Sequence, residues 1–193
     1  MENYKYYFKK IVKSLANDYK LSKSTERFLN LLMIECARQI IEKTNQLLHP
    51  VDYETQKIQK FEPKIITARE VKYSTLLLFP QEIGQHYVKE ADRITELYQM
   101  ENPNKKVNPK KINLNIPFAL GQILIQNFAS RKISFDEGGA IYLSSILEIF
   151  ITEILEFSIQ NSSETTLTRT SIQKGIKADK DLSRIIKILN VSV

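Results

Sequence analysis

The segment from Ala140 to Gln160 places the tightest constraint on what this chain can become. It is apolar around most of its circumference, interrupted by Ser145, Glu148, Thr152, Glu153 and Glu156. A helix of that character has no broad solvent face, so it must sit centrally with other elements covering it on several sides. With 42% hydrophobic residues among 193, the chain can supply one large core or two small ones. A charged fraction of 26%, five Gly and six Pro exclude disordered, collagen-like and mucin-like classes.

The same order of signals occurs twice. In the first half Tyr7 to Ala16 reads as a short helix, and Lys20-Leu21-Ser22 leads into a long periodic run. There Leu29, Leu32, Met33, Cys36, Ala37, Ile40, Thr44 and Leu47 share one helical face, and His49-Pro50 ends the run. In the second half Pro117 starts a short helix to about Asn127, and Lys132-Ile133-Ser134 leads into the apolar run. Ser134-Phe135-Asp136-Glu137 has the spacing of a capping box with Ser134 as the cap. Second turns follow, Ile65-Ile66-Thr67-Ala68-Arg69 and Leu167-Thr168-Arg169, each with a threonine placed to cap the next helix. The first half carries extra polar residues between Asp52 and Pro63, which a surface loop absorbs at little entropic cost.

Charge marks the boundary between the halves. Residues 1–100 carry 16 Lys/Arg against 13 Asp/Glu, residues 101–111 carry 4 against 1, and residues 112–193 carry 8 against 8. Half of the net +6 therefore sits in a short stretch holding Pro103, Pro109, Lys105, Lys106, Lys110 and Lys111. The organisation expected is 1–100, a basic linker at 101–111, and 112–193.

Other chemistries find little support. The lone Cys36 forms no internal disulfide and reads as a core residue, and His49 and His86 lie too far apart for a Cys/His zinc site. No nucleophile, base or cofactor motif stands out, so we expect no enzyme, cofactor, metal or small-molecule substrate. Ile112 to Ser130 lacks charge but contains Asn113, Asn115, Pro117, Gln122, Gln126 and Asn127, which argues against a membrane helix. Nothing near Met1 reads as a secretory signal, so the expectation is a protein that is not secreted.

The layout of short helix, basic turn, long helix, basic turn and short helix is that of the histone fold. Tyr4 to Leu47 resembles core histone two-B without a gap, as do Ile66-Thr67-Ala68-Arg69-Glu70 and Leu76-Leu77-Leu78-Phe79-Pro80-Gln81-Glu82. The second half resembles core histone two-A at Ile116-Pro117, Ala140-Ile141-Tyr142-Leu143, Ile146-Leu147-Glu148, Thr152-Glu153-Ile154-Leu155-Glu156 and Ile176 to Leu182. Two such folds in one chain resemble the histone doublets of large DNA viruses.

The resemblance implies an all-α chain in which a two-B-like and a two-A-like fold clasp as an intramolecular handshake dimer. The first loop of each fold would then lie beside the second loop of the other. Lys20, Ser22 and Lys23 with Thr166, Thr168 and Arg169 would form one DNA-binding end. Arg131, Lys132 and Ser134 with Lys64, Thr67 and Arg69 would form the other. Lys5, Lys9 and Lys10 would add phosphate contacts, and the linker's Lys105, Lys106, Lys110 and Lys111 are further candidates. Such contacts position DNA without reading bases.

It also implies an acidic patch of Glu82, Glu90, Glu148, Glu153, Glu156, Asp179 and Asp181 that receives partner proteins, with Lys180 standing where the family has another acid. The first helix of the second half lacks the family's arginines, and on this comparison the family's long basic tails are expected to be missing and its docking segment mostly absent. Looser wrapping at the particle edges is therefore expected. The implied partners are double-stranded DNA and a histone three/four type doublet or pair, in a nucleosome-like particle that packages a viral genome. The implied location is chromatin, in a host nucleus or in a cytoplasmic viral factory and virion. A histone-fold subunit of a transcription regulator is the alternative, and an all-helical scaffold without a DNA role is a third.

Overall fold

The computed structural model describes residues 4–48, 64–101, 114–131 and 133–192. The linker lysines Lys105, Lys106, Lys110 and Lys111 lie outside them, as do Lys132, His49, Pro50 and the Asp52 to Pro63 segment. The described chain is all-α apart from four very short strands. In order it forms α1 (Lys5–Leu15), β1 (Lys20–Leu21), α2 (Lys23–Leu48), β2 (Lys64–Ile66), α3 (Ala68–Leu78) and α4 (Gln81–Glu101). There follow α5 (Phe118–Phe128), β3 (Ile133–Phe135), α6 (Glu137–Gln160), β4 (Thr166–Leu167), α7 (Arg169–Ala178) and α8 (Lys180–Ile188).

The contacts gather into two compact units, and each draws on both halves of the sequence. One holds the described chain up to Cys36, residues 114–116 and everything from Leu147 onward. The other holds Ala37 through α4 together with Pro117–Ile146. The long helices α2 and α6 each contribute their first part to one unit and their second part to the other.

In the first unit α1 turns Phe8, Ile11 and Val12 inward, spaced for one helical face. They join Phe28, Leu29, Leu32 and Met33 of α2 and Phe150, Ile151, Ile154 and Leu155 of α6, all buried. Each such side chain contributes roughly 1.5–3 kcal/mol by leaving water. Helix α7 closes on α6 at Gly175, where an added Cβ would stand 2.6 Å from the Ser158 amide nitrogen. Helix α8 packs Leu182, Ile185 and Ile186 inward, and the Ser183 hydroxyl donates to the Ile176 carbonyl at 2.8 Å.

In the second unit the first turns of α6 are almost wholly enclosed, with Ala140 to Leu143 and Ile146 at no more than 2% exposure. The coverage expected of this apolar run is thus present along it. Helix α5 approaches so closely that a Cβ on Gly121 would stand 2.2 Å from the Ala140 carbonyl oxygen. The Tyr142 hydroxyl donates to the Val88 carbonyl at 3.1 Å and to Asp92 at 2.9 Å, and Lys72 pairs with Asp92 at 2.7 Å, so α3, α4 and α6 meet in one polar network. Burial and the Asp92 carboxylate both push the Tyr142 phenol upward, keeping it a neutral donor.

The expected apolar face of α2 is buried from Leu29 to Thr44, with one exception beyond it. Leu47 is 40% exposed. It sits in the last turn, where nothing among the described residues covers it fully.

Candidate nucleic-acid interface

Each unit contains one strap of two parallel strands that joins a loop from the first half of the sequence to a loop from the second. In the first unit β1 pairs with β4, Lys20 opposite Thr166 and Leu21 opposite Leu167. The Lys20 amide donates to Thr165 O at 2.8 Å and the Ser22 amide to Leu167 O at 3.1 Å. The Thr25 hydroxyl, fully buried, donates to the same Leu167 carbonyl at 2.8 Å. Six residues predicted from the sequence are thereby brought together, with Lys20, Lys23, Thr166 and Arg169 exposed and Ser22 and Thr168 half-buried.

Two helix starts meet at this strap. Ser22 Oγ accepts the Thr25 amide at 3.2 Å at the start of α2. Thr168 Oγ1 accepts the Ser171 amide at 3.3 Å, while Ser171 Oγ accepts the Thr168 amide at 3.3 Å, closing a capping box. The hydroxyls are therefore caps, and a phosphate here would meet the remaining helix-start amides and the neighbouring cations. The Arg169 guanidinium lies 4.7 Å over the Phe28 ring, which limits its swing without spending its donors on an acid.

In the second unit β2 pairs with β3, with Lys64, Ile65 and Ile66 opposite Ile133, Ser134 and Phe135. Thr67 and Glu70 form a capping box at α3, the Arg69 amide donating to Thr67 Oγ1 at 3.2 Å and Glu70 accepting the Thr67 amide at 2.9 Å. Arg69 and Arg131 are exposed, and Arg69 lies 5.8 Å from the Tyr73 ring centroid. Lys64 is half-buried and engaged within the fold.

The cap of α6 differs from the sequence expectation. Ser134 belongs to β3 and its hydroxyl donates to Lys64 O at 3.4 Å. Asp136 is the residue that caps, its Oδ1 accepting the Gly139 amide at 2.7 Å. The strand extends through Phe135, so the helix starts after the position that a Ser134 cap requires.

The three lysines predicted on α1, Lys5, Lys9 and Lys10, are all exposed, Lys10 lying 4.8 Å over the Tyr6 ring. Lys9 is drawn to Glu26 at 3.0 Å, a carboxylate with only 11% of its side chain exposed. Sequence reasoning missed Lys13 and Tyr19, which with Lys9, Val12, Lys20 and Leu21 line a cleft of about 280 Å³ beside β1. The signal was present, since Lys9 and Lys13 stand one helical turn apart.

The predicted acids are dispersed in their roles. Glu148 is half-buried, and its carboxylate accepts the Ile116 amide at 2.7 Å and the Asn115 side-chain amide at 3.1 Å. Burial raises its pKa against the opposing pull of these hydrogen bonds. Asp179 caps α8, accepting the Asp181 and Leu182 amides at 2.9 and 2.7 Å. Asp181 pairs with Arg184 at 3.2 Å and Glu90 with Arg93 at 3.0 Å. Glu153 is half-buried, whereas Glu82 and Glu156 are exposed. Five of the seven belong to the first unit, and Glu82 and Glu90 to the second.

Among the described residues no group of three or more His, Cys, Asp or Glu could hold a metal, and no helix is long and apolar enough to cross a membrane. By sequence the chain matches no protein-family model and no curated protein.

Proposed function

We propose that this chain is a structural chromatin protein of the histone-doublet kind. A two-B-like fold and a two-A-like fold pair within one chain, bind and wrap double-stranded DNA without sequence preference, and assemble with a histone three/four type pair or doublet. The product is a nucleosome-like particle that packages a viral genome.

One observation carries this reading. Both straps join a basic loop from one half of the sequence to a threonine-capped, basic helix start from the other half. A handshake of two histone folds predicts that pairing in both places. The chemistry also suits phosphodiesters, because helix-start amides and the positive end of the helix dipole meet phosphates while lysine and arginine supply charge. None of these groups reads a base edge, so affinity follows charge and bendability.

The test is a salt series of binding to random and defined-sequence duplexes, with and without a three/four type pair, followed by nuclease digestion. Steep salt dependence, no sequence preference and a protected fragment of fixed length with both pairs present are expected. Strong preference for one sequence would favour the transcription-regulator subunit. Absence of binding would favour the scaffold.

A further inference from the structure

We propose that the exposed face of α7 and α8 is a second duplex-binding surface, so that one molecule holds two DNA segments at once. The inference rests on the DNA-binding reading above and adds a site that reading does not contain.

The even charge balance of the second half conceals a sharp segregation. From Ile133 to Thr168 there are six Asp/Glu and no Lys/Arg, whereas from Thr170 to Ser192 there are five Lys/Arg against two Asp. The fold turns that second set outward. Helix α8 buries Leu182, Ile185 and Ile186 and exposes Lys180, Arg184 and Lys187. Spacings of four and three residues align these cations in one stripe about 10 Å long. Lys174 and Lys177 add an exposed pair one turn apart on α7. Asp179 accepts the α8 amides and Asp181 pairs with Arg184, so Lys180 and Lys187 are the stripe's cations without a paired acid among the described residues. Lys174, Lys177, Lys180 and Lys187 form no ion pair among the described residues.

This stripe is separate from the β1–β4 strap along the chain and along α7. Arg169 opens α7, and Lys177 and Lys180 lie at its other end, a rise of roughly 12 Å or more. A duplex seated on the amides at the start of α7 lies beyond that end of the helix, away from the turn where α8 begins.

Charge complementarity selects the occupant. A second copy of the unit that holds α7 and α8 offers only three exposed and scattered acids among its described residues, Asp18, Glu156 and Glu164, since Glu148 is engaged and Glu153 half-buried. A duplex offers one phosphate charge about every 1.7 Å of its axis, enough to meet every cation of the stripe.

The experiment uses the full chain with a bead-immobilised duplex and a free labelled duplex, scoring protein retained and labelled duplex captured. The wild type is expected to do both. K180Q/R184Q/K187Q is expected to remain on the immobilised duplex to within about twofold while capture falls roughly tenfold or more. The charge-conserving K180R/R184K/K187R is expected to restore capture, which a mere folding defect in the glutamine variant would not explain. Wild-type retention without capture, or undiminished capture by the glutamine variant, would overturn the second site alone. A self-associated species, seen by sedimentation without DNA and lost in that variant, would assign the stripe to a second copy instead. No retention of wild type on any duplex would instead overturn the DNA-binding reading itself.

Discussion

Lys9 and Glu148 show how a single contact redirects a charged side chain. Lys9 reads as a phosphate contact, yet it stands 3.0 Å from the mostly buried Glu26 carboxylate. Lys9→Gln should therefore lower stability by roughly 1 kcal/mol in urea titration, by leaving Glu26 without its counter-charge, and should change duplex affinity little. A large affinity loss at unchanged stability would return Lys9 to the DNA surface. Glu148 behaves oppositely to a salt-bridged acid. Burial raises its folded pKa above the ordinary value of 4.5, so the folded state holds the proton more tightly than the unfolded chain. Its contribution to stability is full below the ordinary value and is lost as pH rises through the folded one. Compared with Glu148→Gln, the wild type should gain melting temperature as pH is lowered through the raised folded pKa towards the ordinary value of 4.5. A difference that does not vary with pH would show that the group titrates as in the unfolded chain.

At the scale of the element, helix packing distances decide which substitutions are tolerated. Gly121→Ala places a Cβ 2.2 Å from the Ala140 carbonyl, and Gly175→Ala places one 2.6 Å from the Ser158 nitrogen. The obstacles are backbone atoms of α6, which cannot rotate away. Each substitution should cost about 1–3 kcal/mol or more by chemical denaturation. Gly84→Ala meets nothing closer than 3.5 Å within α4 and should stabilise by roughly 0.5–1 kcal/mol through helix propensity. Equal effects at all three positions would mean that α5 and α7 do not approach α6 so closely. Helix starts were mostly readable beforehand. Thr67 and Thr168 cap as their spacing suggests, whereas the Ser134 cap is displaced to Asp136 because β3 takes up the intervening residues.

For the molecule as a whole, the reading turns on how many phosphates its cations neutralise. Replacing Lys20, Lys23 and Arg169 by glutamine should reduce the slope of log affinity against log salt by roughly 3 if each meets a phosphate. Stability should fall by no more than about 1 kcal/mol, because all three side chains are exposed without an ion pair among the described residues and only Arg169 gives up a contact, its stacking on Phe28. An unchanged slope would remove the β1–β4 strap from the DNA surface. Both straps keep their register through backbone hydrogen bonds and buried Leu167 and Ile66, so the substitutions leave the loop pairing in place.

Sequence alone determined α1, α2, α5 and α6, the inward face of α2 and the threonine caps of α3 and α7. These depend on period and on neighbours within a turn, as with Leu29, Leu32 and Met33 or Thr67 and Glu70. It did not by periodicity determine which loop meets which. Thr25 and Leu167 are bonded across 142 residues, and a hydrophobic period carries no address for its partner. The loop pairings were anticipated only through family resemblance. Tertiary structure alone decided that the compact units mix both halves, that Lys9 finds Glu26, that Glu148 turns to Ile116, and that Leu47 stays exposed. Each of these outcomes depends on what a distant segment places beside the residue, where burial and distance set the strength of every charge and hydrogen bond.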